Sequence, residues 1–305
     1  MSNRIATGMV TSSTLNDINS ALSKLERSSE ELSSGRTILQ PSDNPYGASH
    51  AIDLQSQLDG LTSYTANVQD AISWTNTAGG AMSNMSSVVQ RVRELLVQAS
   101  NATYNQGDLN SVATEVSQLT ETLKQDANTQ YAGQYVFSGT LTTTPPYKQG
   151  PEDAYQGNAE AISRSIGPGG ASVTVNTNIS SLLGNGAGSG DGKLLETLRT
   201  ISEHLTGGTA EDRAALNSTD LKAIDASMET LTQLQATAGS VTNQLHVAST
   251  RIEDLQSSIG KTLSNTQDAD FAKTTMAYSN EQAAYQAALR AGANIVQESL
   301  LNFLH

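Results

Sequence analysis

Both ends of this chain carry helix-forming stripes that cannot be satisfied alone. Leu15, Ile18, Leu22, Leu25 and Leu32 recur at alternating steps of three and four, and so do Phe271, Thr275, Tyr278, Gln282, Tyr285, Leu289, Gly292, Val296, Leu300 and Phe303 at the far end. Such a spacing is the mark of helices packed along a shared axis. Each stripe needs a partner, and the simplest arrangement sets the first and last helices side by side. The chain is therefore expected to leave a core, make an excursion and return.

The intervening pattern describes that excursion. The first helical stripe stops at Gly35, and Gln40-Pro-Ser-Asp-Asn-Pro-Tyr-Gly47 reads as an extended turn held by two prolines, a joint between elements. Leu54, Leu58, Leu61, Val68, Ile72, Met82, Val89, Val92 and Leu96 then form a seam long enough for a helix of about 70 Å at 1.5 Å per residue. Asn105-Gln-Gly107 interrupts the seam and Leu109, Val112, Val116, Leu119 and Leu123 resume it, which predicts an antiparallel helical hairpin. From about 134 to 194 the code changes to Tyr135-Val-Phe137, Ser172-Val-Thr-Val175, Pro145-Pro146 and glycine-rich turns, the signs of a small β-rich insertion. Helical spacing returns at Leu195, breaks at Gly207-Gly208, and runs from Leu221 to Ile259 as the natural partner of residues 48–100.

The expected fold is mainly α, an elongated helical-bundle rod with paired terminal helices and a small β-rich inserted domain. Its parts are a terminal coiled-coil assembly domain (1–47 and 262–305), a long helical bundle (48–133 and 195–261) and the insertion (134–194). Composition agrees with thin helical seams. Only 37% of the 305 residues are hydrophobic and 4% aromatic. A formal net charge of −13 with 17 scattered Lys and Arg argues against nucleic acid as a partner. The absence of Cys removes disulfides and thiol chemistry. No run of about eighteen apolar residues is present to span a membrane, and the start lacks the apolar core of a secretory signal, so export would need another machine.

Candidate chemistry is thin. His50, His204, His246 and His305 sit in separate segments without a carboxylate at ligand spacing, and surface or packing roles are expected. Gly186-Ala-Gly-Ser-Gly-Asp-Gly-Lys193 resembles a phosphate-cradling loop, but Ala187 stands at its first glycine and Leu194 where Ser or Thr belongs; a flexible linker is the expectation. Asp268 and Asp270 precede a helix and are expected to cap it. Asn101-Ala-Thr103 and Asn178-Ile-Ser180 match a glycosylation triplet by chance, and Trp74 is read as a packing anchor. The chain is expected not to be an enzyme, with no cofactor and no metal. Polar residues within the terminal seams weaken a lone helix pair while specifying register, so the ends are expected to order fully within an assembly.

Several strings resemble a known family. Leu32-Ser-Ser-Gly-Arg-Thr-Ile38, Pro41-Ser-Asp-Asn-Pro45 and Arg91-Val-Arg-Glu-Leu-Leu-Val-Gln-Ala-Ser-Asn101 are similar to the amino-terminal region shared by bacterial flagellins and flagellar hook-associated proteins. Arg251-Ile-Glu-Asp254, Asp268-Ala-Asp-Phe-Ala272 and Ser299-Leu-Leu-Asn-Phe-Leu304 resemble the matching carboxy-terminal region. The two prolines of Pro41 to Pro45, and Ala127-Asn-Thr-Gln-Tyr-Ala-Gly-Gln-Tyr-Val-Phe-Ser-Gly-Thr140, are more similar to hook-associated protein 3 than to flagellin. Asn44 departs from the family, which often has a second Asp there.

The resemblance implies a structural subunit on the bacterial flagellum, outside the cell, exported unfolded through the flagellar type III apparatus with a dedicated chaperone on the C-terminal helix. It implies a ring between hook-associated protein 1 and the flagellin filament, held by self-association. The residues expected at the assembly interface are Leu15, Ile18, Leu22, Leu25, Leu32, Phe271, Tyr278, Tyr285, Leu289, Val296, Leu300 and Phe303. The alternatives are flagellin itself, or an adhesin or lattice-bound enzyme that uses the β-rich insertion.

Overall fold

The computed structural model describes the backbone of residues 2–101 and 104–303, and the side chains of 9–101 and 104–294. The chain is mainly helical and divides into two compact units, residues 1–60 with 255–305 and residues 61–254.

The second unit holds nearly all of the core. Helix α2 (Pro45–Ala99) brings Val68, Ala71, Trp74, Ala78, Met82, Met85, Val89, Val92 and Leu96 into it, at the three- and four-residue steps of one helix face. Helix α3 (Gln106–Ala127) doubles back as expected. Its start is fixed by Asn105, whose side chain accepts from the Asp108 amide while Asp108 accepts from the Asn105 amide. Arg91 pairs with Glu115 at 2.8 Å, and Gln98 bonds Tyr104 nearer the turn, so the two helices run antiparallel. Helix α5 (Leu194–Gly207) packs along α3, and the Gln106 side chain donates to its last carbonyls at Leu205 and Thr206.

The break at Gly207-Gly208 is followed by more structure than the glycines foretell. A short helix α6 (Ala210–Ala215), capped by Thr209, and a π turn at Leu216–Asp220 lead into α7 (Leu221–Gln267). Within this unit α7 runs against α2, with Arg93 and Asp225 at 2.7 Å. This is the pairing expected from the seams.

The inserted region contains two small antiparallel ribbons. Strands β1 (Gln130–Tyr131) and β2 (Gln134–Tyr135) are joined through Ala132 and Gly133, both with positive φ, the conformation that a tight hairpin turn requires. Strands β3 (Ser163–Ser165) and β4 (Ser172–Thr174) form the second ribbon, in the expected Ser172 to Val175 segment. Apart from a four-residue helix α4 (Ser180–Leu183) and a 3-10 turn at Pro168–Gly170, the rest is irregular and ordered by burial. Val136, Phe137, Tyr147, Val173, Val175, Ile179, Leu182 and Leu183 are all buried. The Tyr147 hydroxyl donates to the Gly184 carbonyl at 2.6 Å, and burial pushes its pKa up.

Lys124 anchors this region to α3. Its ammonium, 3% exposed, lies 2.8 Å from the equally buried Asp153 carboxylate, 2.9 Å from Glu121 and 2.8 Å from the Gly150 carbonyl. Asp153 also accepts the Ala187 amide at 2.9 Å. A buried ion pair is tolerated only when its remaining hydrogen-bonding capacity is filled, and here three acceptors surround one ammonium.

The first unit comprises α1 (Ser2–Ser34), the start of α2, the end of α7, and α8 (Phe271–Phe303). Ala51 and Leu54 pack with Leu263, flanked by Leu58 and Ile259.

Candidate assembly surface

Helices α1 and α8 lie side by side and antiparallel. Ser28 donates to the Glu281 carboxylate, and further along the pair Gly292 faces Thr14 and Ile18. A Cβ on Gly292 would sit 3.0 Å from Ile18 Cδ1 and 3.4 Å from Thr14 Cγ2, so the glycine sets how closely the helices approach. At the other end the Ala269 amide donates to the Gly35 carbonyl at 2.9 Å, and the Thr37 amide to Gln267 at 2.7 Å. Asp270 caps α8 by accepting the Lys273 amide, while Asp268 joins a short backbone bridge to Arg36. Only the first of these two aspartates acts as the expected helix cap.

The turn after α1 is built on Asp43 and Asn44. Asp43 accepts the Leu39 and Gln40 amides and pairs with Arg27 at 3.1 Å. Asn44 accepts the Gly47 amide at 2.9 Å as α2 begins. An Asp at position 44 would cap in the same way, which explains why Asn is accepted there. The Gln40 amide, with Leu39 and Arg27 behind it, holds the Asp43 carboxyl below its ordinary range. Its contribution to stability is therefore complete above the unfolded value of about 3.9 and is lost as pH falls through the lower native value. Asp43→Asn should flatten the acid limb of a far-UV circular dichroism titration below about pH 4; an unchanged acid limb would count against this role.

The faces in contact are offset from the stripes that the spacing predicts. Among the described residues, Thr274, Ala277, Tyr278, Glu281, Tyr285, Ala288 and Gly292 are the covered positions of α8, and Thr11, Thr14, Ile18, Ala21, Leu22, Leu25, Ser28, Glu31 and Leu32 those of α1. Of the residues expected at the interface, Ile18, Leu22, Leu25, Leu32, Tyr278 and Tyr285 are thus brought into the pair or its flank. Leu15, Phe271 and Leu289 are not: they are 56%, 72% and 43% exposed. The side chains of Val296, Leu300 and Phe303 lie outside the described residues. Ser28, Thr274 and Glu281 are among the contact residues that spacing missed, because a polar side chain declares its partner only when both helices are in place.

This unit is poor in core and rich in uncovered apolar surface. Among the described residues, only Ala51, Leu54 and Leu263 of its apolar side chains are buried. Eight of the eleven exposed large apolar residues among those described, Met9, Val10, Leu15, Tyr46, Ile52, Phe271, Met276 and Leu289, belong to it, although it holds little more than a third of the chain. Such a concentration marks a surface made for association.

The sequence model of the bacterial flagellin N-terminal helical region matches residues 5–142, and that of the flagellin C-terminal helical region matches 221–304. The chain belongs to the flagellin superfamily. It is 25% identical to flagellar hook-associated protein 3 of Escherichia coli over 94% of this chain and 95% of that one. Flagellin of Bacillus subtilis is 28% identical over 99% of both. The fold is shared with the crystal structure of flagellar hook-associated protein 3 from Legionella pneumophila, at a TM-score of 0.62 and 15% identity over 70% of this chain and 97% of that one.

The remaining candidates in this flagellin-superfamily chain are structural. The glycine-rich loop is latched rather than slack: Asp191 accepts the Asn185 and Lys193 amides, and Asp153 accepts that of Ala187. Two of the loop's amides, those of Ala187 and Lys193, are thus taken by the protein's own carboxylates, which is more order than the expected flexible linker implies. His204 is not without a carboxylate partner, as its sequence surroundings imply. Its Nδ1 lies 2.7 Å from Asp220, which the π turn carries back to α5. Asn178 uses its side chain to hold Ser180 at the start of α4. In the other triplet, Ala102 and Thr103 lie outside the described residues, as does His305. Trp74 is 1% exposed and meets the edge of Tyr131 at 6.1 Å, the packing role expected of it. No described helix is long and apolar enough to cross a membrane.

Proposed function

We propose that this chain is the structural subunit of the bacterial flagellum that joins hook-associated protein 1 to the flagellin filament. The observation that carries the reading is the composition of the first unit, where nearly every described apolar residue on the terminal helices is half-covered or exposed. A surface of this kind gains about 25 cal/mol for each Å² of apolar area that neighbours remove from water. Residues 1–47 with 262–305 form the assembly part, and the interface takes in Leu15, Phe271 and Leu289 together with the seam of the pair and the stripe continued by Val296, Leu300 and Phe303.

The subunit leaves the cell through the flagellar export apparatus with a chaperone on α8, and works outside the cell as a ring-forming link without enzymatic activity. The prolines at 41 and 45 and the 127–140 string support the junction over the filament role. A strain lacking this protein should make hooks without filaments and shed flagellin into the medium, as seen by electron microscopy and immunoblotting. Filaments of normal length in that strain would overturn the reading in favour of another flagellar role.

The insertion is an integral part of the second unit through Phe137, Tyr147 and the Lys124 ion pair. An adhesin role should therefore be tested by substituting its exposed residues, such as Leu141, rather than by deleting it.

A further inference from the structure

We propose that neighbouring copies of this chain meet through opposite edges of the α1/α8 pair, an acidic apolar edge of one copy against a basic alanine-lined edge of the next. The proposal rests on the assembly reading above and adds which face meets which.

Successive residues of an α-helix turn by about 100°. Measured from the direction in which each helix faces its partner, Leu15, Glu26 and Glu30 lie roughly 90 to 150° to one side of α1. Phe271, Gln282 and Leu289 lie roughly 70 to 90° to the corresponding side of α8. Because the helices are antiparallel, these two sides fall on the same edge of the pair. The opposite edge carries Lys24 from α1 and Lys273, Ala284 and Ala291 from α8. All of these residues are exposed, and none of the four charged side chains forms an ion pair among the described residues.

The two edges complement each other. One presents bulky apolar side chains and two carboxylates; the other presents a low alanine surface and two ammonium groups. By the register of Ser28 with Glu281, both carboxylates lie within roughly 10 Å of Lys24 along the axis, and Glu30 lies within roughly 10 Å of Lys273. Asp17 and Glu31 share the basic edge: Asp17 sits about 10 Å beyond Lys24, away from Lys273, and Glu31 is already paired with Arg27 at 3.1 Å. An edge-to-opposite-edge contact is heterologous, the type that closes rings or continues helical lattices. It also gives a chain of net charge −13 an attractive contact where like copies would otherwise repel.

The test is a charge swap in the full chain, expressed in the deletion strain. Glu26→Lys with Glu30→Lys, and separately Lys24→Glu with Lys273→Glu, should each lower incorporation into flagella by about tenfold or more, because every contact then opposes like charges. The chain carrying all four substitutions restores opposite charges at every contact and should recover most of the wild-type level. Circular dichroism and secreted yield equal to the parent exclude a folding or export defect, since none of the four side chains lies in the α1/α8 seam. Double variants that incorporate normally, or a fourfold variant no better than either double, would overturn the proposal. Filaments in the deletion strain itself would instead overturn the junction reading.

Discussion

A chain carrying Leu289→Asp should fold through residues 61–254 and reach the medium, yet leave hooks without filaments. Leu289 is 43% exposed and buries nothing of its own chain that the second unit needs. Its substitution places a charge where a neighbour is proposed to remove water, and a buried unpaired carboxylate costs several kcal/mol at each contact. Repeated around a ring, that cost prevents assembly rather than weakening it. The measurement is electron microscopy of flagella in the complemented deletion strain, with thermal unfolding of the purified variant as the control. Normal filaments with this variant would remove α8 from the interface.

Lys124→Met should destabilise the protein more than any surface change. Methionine keeps most of the volume of the lysine stem but leaves the buried Asp153 carboxylate with the Ala187 amide and no cation. Breaking a buried pair from one side costs about 3–5 kcal/mol, which for a unit of this size lowers the melting temperature by roughly 10 °C. Removing both charges, as Lys124→Met with Asp153→Leu, should recover much of the loss, because the desolvation cost leaves with the pair. Melting by circular dichroism decides it. A single variant within about 1 kcal/mol of the parent would count against a buried ion pair at this site.

The long helices were legible because their partners are written in period. Val68 to Leu96 repeat over eight turns, and Leu221 to Ile259 repeat with the same step, so the pairing of α2 with α7 followed from spacing. The insertion was legible only in outline. Its ribbons are two and three residues long, too short to signal themselves, and its order comes from Phe137, Tyr147 and Leu183 being buried by segments far away in sequence. His204 and Asp220 are sixteen residues apart, and nothing in either neighbourhood announces the π turn that joins them.

The terminal helices divide the two kinds of information most sharply. Sequence alone determined that both ends are helical, that each needs a partner, and that the chain returns to where it began, because a three-and-four repeat is a property of one helix. Only the tertiary structure decided which side of each stripe is used at home and which is left open. Thr274, Glu281, Ser28 and Gly292 fill the intramolecular seam, where small and polar side chains let the helices approach closely, and Leu15, Phe271 and Leu289 remain at the edge. A stripe wider than one partner can cover has two possible registers, and the choice between them belongs to shape and hydrogen bonding across the pair, which no single strand of residues contains.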